Sequence, residues 1–181
     1  MRAGTIARNY AEALFALADR HGGPSALGQF GELLDAVAHG IAAAPRVHAV
    51  LMSPRVTKAQ KTALLTQALK GAPPEFVRFL AAVVKRGRQG LFGEMAREYE
   101  GLLDLKLNRV RAQVTVARPA DTALRRKVTA RLAEVIGKEV LPTFSEDPGI
   151  LGGIIVRVGD RVFDGSIRRR MTVLRRTLLA R

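Results

Sequence analysis

Residues 149–171 read GILGGIIVRVGDRVFDGSIRRRM, and this stretch decides the fold of the carboxyl-terminal part of the chain. Gly152 and Gly153 interrupt a run of β-branched residues, which predicts a bulge or the close approach of another backbone segment. Gly159 and Asp160 lie between the apolar runs IIVRV and RVF, where such a pair favours a two-residue hairpin turn. The stretch therefore predicts paired strands in preference to a loop around a ligand.

A helix is predicted directly after these strands. Ser166 is a suitable N-cap, and Asp164 is expected to interact with the positive end of the helix. The apolar residues that follow repeat with helical spacing, at Ile167, Met171, Leu174 and Leu178. The arginines between them predict a charged solvent face, with the apolar stripe packed inward.

The same glycines and aspartates could also suggest a ligand site. A P-loop needs a Lys followed by Ser or Thr after its glycines, and a dinucleotide fold needs G-x-G-x-x-G at the start of a helix. Neither pattern occurs in the sequence. Asp160 and Asp164 have no third ligand at a recognisable spacing, and the histidines show no metal-ligand spacing either. We therefore expect no catalytic residue, no cofactor and no metal.

The residues before this stretch extend the same module back to residue 108. In VRAQVTVA, residues 110–117, apolar and polar side chains alternate as in a half-buried strand. A helical pattern follows in DTALRRKVTARLAEVIGKE, and two further strands are predicted at residues 141–145 and 150–158. Residues 108–181 are thus predicted to form a small α+β module in the order strand, helix, strand, strand, helix.

Residues 1–107 show helical periodicity instead. Gly, Pro and short polar breaks separate six segments with apolar positions at helical spacing. Thr57 is a predicted N-cap, and the prolines at 73 and 74 suit a first helical turn. Six helices with short connections predict an antiparallel bundle. We therefore expect an α+β protein with two domains, 1–107 and 108–181.

The first and fifth helices carry more apolar surface than one core-facing stripe requires. Between residues 5 and 18 only four side chains are polar, whereas an ordinary bundle helix is apolar over about 100°. With Ile6, Tyr10, Leu14 and Leu17 assigned to the core, the remaining face is predicted to form a groove for a docked helix. The alternative is that both helices are central in the bundle. The candidate groove residues are Ala7, Ala11, Phe15, Ala18, Phe76, Leu80, Val83 and Val84.

Positive charge is concentrated in the second part of the chain. The 181 residues carry a net charge of +14, with 13 basic and 9 acidic residues up to Leu105, then 17 basic and 7 acidic ones. Such a charge favours an acidic partner, namely nucleic acid, an anionic membrane or an acidic protein. No apolar run reaches the roughly 18 residues of a membrane span. Because of the positive charge, the alternative function is that of a basic RNA- or ribosome-associated binding protein.

Several segments together match one known family. They are ARNYAEALFALA, LMSPRVTKAQK, FLAAVVKRGR, YEGLLD and, most specifically, GILGGIIVRVGDRVFDGSIRRRMTVL. In these segments the chain resembles, nearly end to end, the delta subunit of bacterial and chloroplast F-type ATP synthases. The mitochondrial member of that family is the oligomycin-sensitivity-conferring protein.

The resemblance implies a non-catalytic stator subunit that links the catalytic head to the peripheral stalk, so that rotor torque drives ATP synthesis. It implies that residues 1–107 bind the amino-terminal helix of an alpha subunit between the first and fifth helices. It implies that residues 108–181 bind the b subunits of the stalk. It further implies the cytoplasmic face of the bacterial plasma membrane, membrane association only through the complex, and no nucleic-acid partner.

Overall fold

The structure is a computed structural model that describes residues 3–179. Its contacts divide the chain into two compact units, Met1–Leu103 and Asp104–Arg181. The sequence-based boundary lies after residue 107. None of the helices in the described range is long and apolar enough to cross a membrane.

The amino-terminal unit is helical throughout. Its helices are α1 (Ala3–Ala43), α2 (Pro45–Met52), α3 (Lys58–Ala68), α4 (Pro74–Lys85) and α5 (Phe92–Lys106). Gly23 has φ 57° and ψ −141°, and this non-helical backbone just before Pro24 divides α1 into two arms, residues 3–22 and 24–43. With the two arms counted separately, the unit has the six helical segments that the sequence predicts.

Local side-chain chemistry fixes the start of α3 as expected. The Thr57 hydroxyl accepts a hydrogen bond from the Gln60 backbone N–H at 3.3 Å, and the Gln60 side chain accepts one from the Thr57 N–H at 3.0 Å. This reciprocal pair is a capping box. The predicted N-cap is therefore confirmed.

The core of the amino-terminal unit is organised around aromatic side chains. Tyr99 is fully buried, and its hydroxyl donates to the Leu27 carbonyl oxygen at 2.9 Å. Its ring centroid lies 5.5 Å from that of Phe15. Gly31 makes room for this ring, because a Cβ at that position would lie 3.1 Å from it. The hydrogen bond removes the cost of burying an unpaired phenol.

The carboxyl-terminal unit is a mixed sheet with one helix in the crossover and one at the end. Its elements are β1 (Arg109–Val116), α6 (Thr122–Ile136), β2 (Glu139–Glu146), β3 (Ile154–Val158), β4 (Arg161–Asp164) and α7 (Ile167–Leu179). The sheet order is β2-β1-β3-β4, with β1 and β2 parallel and the other pairs antiparallel. The predicted α+β class is confirmed.

The sheet has one strand more than the three counted from the sequence. The chain turns at Gly159 and Asp160 as predicted, but β3 begins only at Ile154 and the residues after the turn pair with it as β4. A short 3₁₀ helix, Pro148–Ile150, occupies the start of the predicted strand 150–158. The hairpin is therefore compact, and its second strand is only four residues long.

One face of the sheet packs against α6. The inward side chains of β1, Ala112, Val114 and Val116, form a buried cluster with Val128 of α6. Asp121 caps α6 by accepting from the Leu124 N–H at 2.6 Å, and Gly137 ends it in the left-handed conformation. The alternation predicted for this strand is thus what places its apolar face against α6.

Alkaline pH is predicted to unfold the amino-terminal unit through Tyr99. Burial raises the pKa of the Tyr99 phenol well above its ordinary value, because ionisation would place a charge in the core. The stability that comes from the neutral phenol is complete below the pKa of the unfolded chain and is lost as the pH rises above it.

The measurement uses a Tyr10→Phe variant, in which Tyr99 is the only tyrosine. Tyrosinate absorbance and helical circular dichroism are expected to change together as the pH is raised. Ionisation of Tyr99 with the helical signal intact would contradict the prediction.

Candidate partner-binding surfaces

The structure places the predicted groove residues in the core of the free chain. Seven of the eight have at most 1% of their surface exposed: Ala7, Ala11, Ala18, Phe76, Leu80, Val83 and Val84. The eighth, Phe15, is half-buried against Tyr99. These side chains therefore do not line an open groove, and the assignment of inward and outward faces is corrected.

Side-chain size explains which face of the first arm of α1 is buried. The first arm of α1 turns its small side chains inward, so that Ala7, Ala11 and Ala18 lie fully buried beside Leu14. Alanines allow neighbouring helices to approach closely, because they occupy little space between the backbones. The larger side chains assigned to the core, Ile6, Tyr10 and Leu17, remain partly exposed.

These larger side chains form a second stripe on the same arm. Ile6, Tyr10, Ala13 and Leu17 follow one another at helical spacing. Ile6, Asn9, Tyr10 and Ala13 line a groove of about 570 Å³, together with Arg86 and Arg88 from the segment that follows α4. The first helical segment therefore borders a groove together with residues that follow the fifth, and its lining side chains differ from the predicted ones. The stripe is visible in the sequence, but because most of its residues are large they were predicted to pack in the core.

Aromatic contact and charge define the two sides of this α1/α4 groove. The ring of Tyr10 meets that of Phe79 edge to face, with centroids 6.2 Å apart. Arg86 and Arg88 are exposed, and neither forms an ion pair with another described residue. The groove thus has an apolar floor and a positively charged end.

The second candidate surface is α7 in the carboxyl-terminal unit. No residue of this helix is buried, and the predicted inward stripe lies in solvent. Its exposed fractions are 44% for Ile167, 57% for Met171, 59% for Leu174 and 65% for Leu178. The expectation that the stripe packs inward is therefore wrong for the free chain, because no other element of the unit covers it.

The glycine pair positions the start of α7. The Gly152 carbonyl accepts from the Ile167 N–H and the Ile154 carbonyl from the Gly165 N–H, both at 3.0 Å. A Cβ on Gly153 would overlap the carbonyl oxygen of Gly165. The predicted close approach of two backbone segments is confirmed, and it joins the β3 end of the sheet to the first turn of α7.

Asp164 and Ser166 complete this junction. The buried Ser166 hydroxyl accepts from the Arg169 N–H at 3.2 Å, and the Asp164 carboxylate accepts from the Ser166 N–H at 2.9 Å. The bond with Ser166 holds the pKa of Asp164 below its ordinary value. Ser166 has the capping role that the sequence predicts, whereas Asp164 bonds the N–H of the cap residue itself.

The amino-terminal unit thus presents a partly exposed apolar stripe and the carboxyl-terminal unit an exposed one, and apolar stripes at helical spacing are typical of proteins that bind other protein chains. The family model of the ATP synthase delta (OSCP) subunit matches residues 6–178. ATP synthase subunit delta of Gemmatimonas aurantiaca is 44% identical over 175 residues, covering 96% of this chain and 93% of the relative. That of Desulforamulus reducens is 32% identical over 182 residues, covering 100% and 99%.

A solved structure shares the fold. A chain in the cryo-EM structure of the Toxoplasma gondii mitochondrial ATP synthase hexamer superposes with a TM-score of 0.71 at 19% identity, covering 97% of this chain and 98% of that one. The chain belongs to the ATP synthase delta (OSCP) subunit family. It is therefore a non-catalytic stator subunit of an F-type ATP synthase, which couples proton transport to ATP synthesis. This membership selects the stator role over the RNA-associated alternative.

Gly153→Ala is predicted to destabilise the carboxyl-terminal unit more than Gly159→Ala. Both glycines have positive φ, 77° and 55°, and forcing alanine into that region costs about 1–2 kcal/mol. Only at position 153 would the new methyl group also meet backbone atoms, since nothing lies within 4 Å at position 159. Thermal unfolding of the two variants measures the difference, and equal midpoints would contradict the steric argument.

Proposed function

We propose that the amino-terminal unit binds the catalytic head and that the carboxyl-terminal unit binds the peripheral stalk. The observation that carries this proposal is a partly exposed apolar groove on the amino-terminal unit and the exposed stripe of α7 on the carboxyl-terminal unit. A subunit of the stator has to bind parts of the complex that must not rotate, and two separate surfaces on one chain meet that requirement. The complex would place the chain at the cytoplasmic face of the bacterial plasma membrane.

The occupant of the α1/α4 groove in this proposal is the amino-terminal helix of a head alpha subunit. An amphipathic helix inserts apolar anchors at i, i+3, i+4 and i+7 into a groove between two helices. Ile6 and Tyr10 supply apolar surface for such anchors, and the small side chain of Ala13 leaves room for them in the groove. Arg86 and Arg88 favour an acidic residue on the incoming helix.

The occupant of α7 in this proposal is a helix of the b subunits of the stalk. The stripe from Ile167 to Leu178 spans three turns, which is enough for several side chains of a second helix to pack into it. An isolated helix of 13 residues is only marginally stable in water. Docking on the stalk would bury the stripe and stabilise α7.

Ala13→Asp is predicted to weaken binding of the full chain to a head preparation that lacks this subunit. The substitution places a charge on the apolar part of the groove, and burying that charge against the helix of an alpha subunit is costly. We therefore expect the affinity for the head to fall about tenfold or more. Ala13 is exposed, so folding should be unaffected. Ala16→Asp is the matched control, because Ala16 is exposed on the same arm but does not line the groove. An equal effect of the two substitutions would argue against the groove.

Met171→Asp is predicted to remove binding to the purified stalk subunits of the same complex. Met171 lies in the exposed stripe and contributes nothing to the buried clusters, so the free variant should keep the melting temperature of the parent chain. Thr172→Asp, on the adjacent polar side of α7, introduces the same charge outside the stripe and should bind normally. Unchanged stalk affinity of a folded Met171→Asp variant would refute the assignment of α7.

A further inference from the structure

The arginines of α7 are arranged around its apolar stripe. At about 100° per residue, Arg170 lies on one side of the stripe and Arg168 and Arg175 lie on the other. Arg169 and Arg176 lie on the opposite side of the helix. The helix has no acidic residue between Ile167 and Leu179, so an apolar strip is bordered by positive charge along both edges.

Helix stability does not account for all of these charges. Cations stabilise the last turn of a helix and destabilise the first, because the helix dipole is positive at its amino terminus. Arg176 lies in the last turn, where it is favourable. Arg168, Arg169 and Arg170 lie in the first turn, which contains no acidic residue.

Charge interactions within the chain account for the arginines of α7 only in part. Asp164 lies close enough to Arg169 and Arg168 that both help to lower its pKa. None of the five arginines of α7 forms an ion pair within residues 3–179. Arg170 and Arg175 therefore border the stripe without an ion-pair partner among the described residues.

We propose that the stalk segment that docks on α7 is an amphipathic helix with acidic side chains on both sides of its apolar stripe. This inference rests on the proposed binding of the stalk by α7. The acidic side chains pair with Arg170 along one edge and with Arg175 along the other. Charge on both edges fixes the lateral position of the partner helix, as e and g residues do in a coiled coil.

A protein helix fits these observations better than an anionic membrane surface. Helices that lie in a membrane interface commonly insert Trp or Phe at the headgroup boundary, and α7 contains no aromatic residue. The positive charge on the two edges is matched by a partner whose negative charge lies in two rows. A lipid surface would engage every arginine that faces it without distinguishing rows.

Two double variants with the same net charge test the inference. The edge variant carries Arg170→Gln and Arg175→Gln, and the back variant carries Arg169→Gln and Arg176→Gln. Affinity of the full-length chains for the purified stalk subunits of the same complex is measured at low and at physiological salt. Exposed ion pairs are weak individually, so we expect the edge variant to bind about three- to tenfold more weakly at low salt. Its affinity should depend less on salt than that of the parent chain, whereas the back variant should match the parent.

The outcomes separate this inference from the proposed function. If Met171→Asp leaves stalk binding intact, α7 is not the stalk surface and the proposed function fails. If Met171→Asp removes binding but the edge and back variants weaken equally, only overall charge matters and the inference is overturned. It is also overturned if the edge variant keeps full stalk affinity while losing binding to phosphatidylglycerol vesicles, since the edges would then serve a membrane surface.

Discussion

The complete burial of Ala7, Ala11 and Ala18 on α1 is the packing constraint on which the amino-terminal unit depends. Because alanine occupies little space, the core can be filled by the large side chains of other helices, among them Phe76, Tyr99 and Leu80. The same choice leaves Ile6, Tyr10 and Leu17 of the first arm partly exposed. The groove therefore follows from how the core is packed, and Tyr10 takes part in both.

The carboxyl-terminal unit differs in that it carries a helix, α7, that takes no part in its buried core. Its buried cluster is complete with β1, β2, β3 and α6. The backbone contact at Gly153 and the cap by Ser166 fix the first turn of α7, while its apolar side chains stay in solvent. Anchoring one end of the helix sets its direction at little cost in apolar surface, and the remaining length stays exposed.

Charge and apolar surface act together in this division of roles. Most of the excess positive charge lies after Leu105, and part of it borders the stripe of α7. Apolar burial supplies most of the free energy of a helix contact, whereas charged edges determine which helix is accepted and in which position. A stator subunit benefits from both properties, since it must bind firmly and in one orientation to resist torque.

The sequence alone determined the elements whose causes are local. The helical segments followed from apolar periodicity, the start of α3 from Thr57, and the α7 cap from Ser166, because each depends on residues within one or two turns. The hairpin at Gly159 and the alternation in β1 are local in the same way. The family resemblance, carried above all by residues 149–171, already implied the stator role that the comparisons establish.

Only the tertiary structure decided which apolar faces are inside. On α1 both stripes are apolar, and the choice between them depends on how closely other helices approach, which no local pattern contains. On α7 the stripe has the periodicity of a core-facing helix, yet no element of its unit covers it. An amphipathic pattern indicates that one face of a helix is to be buried. Tertiary packing determines whether that face is covered by the same chain or by another one.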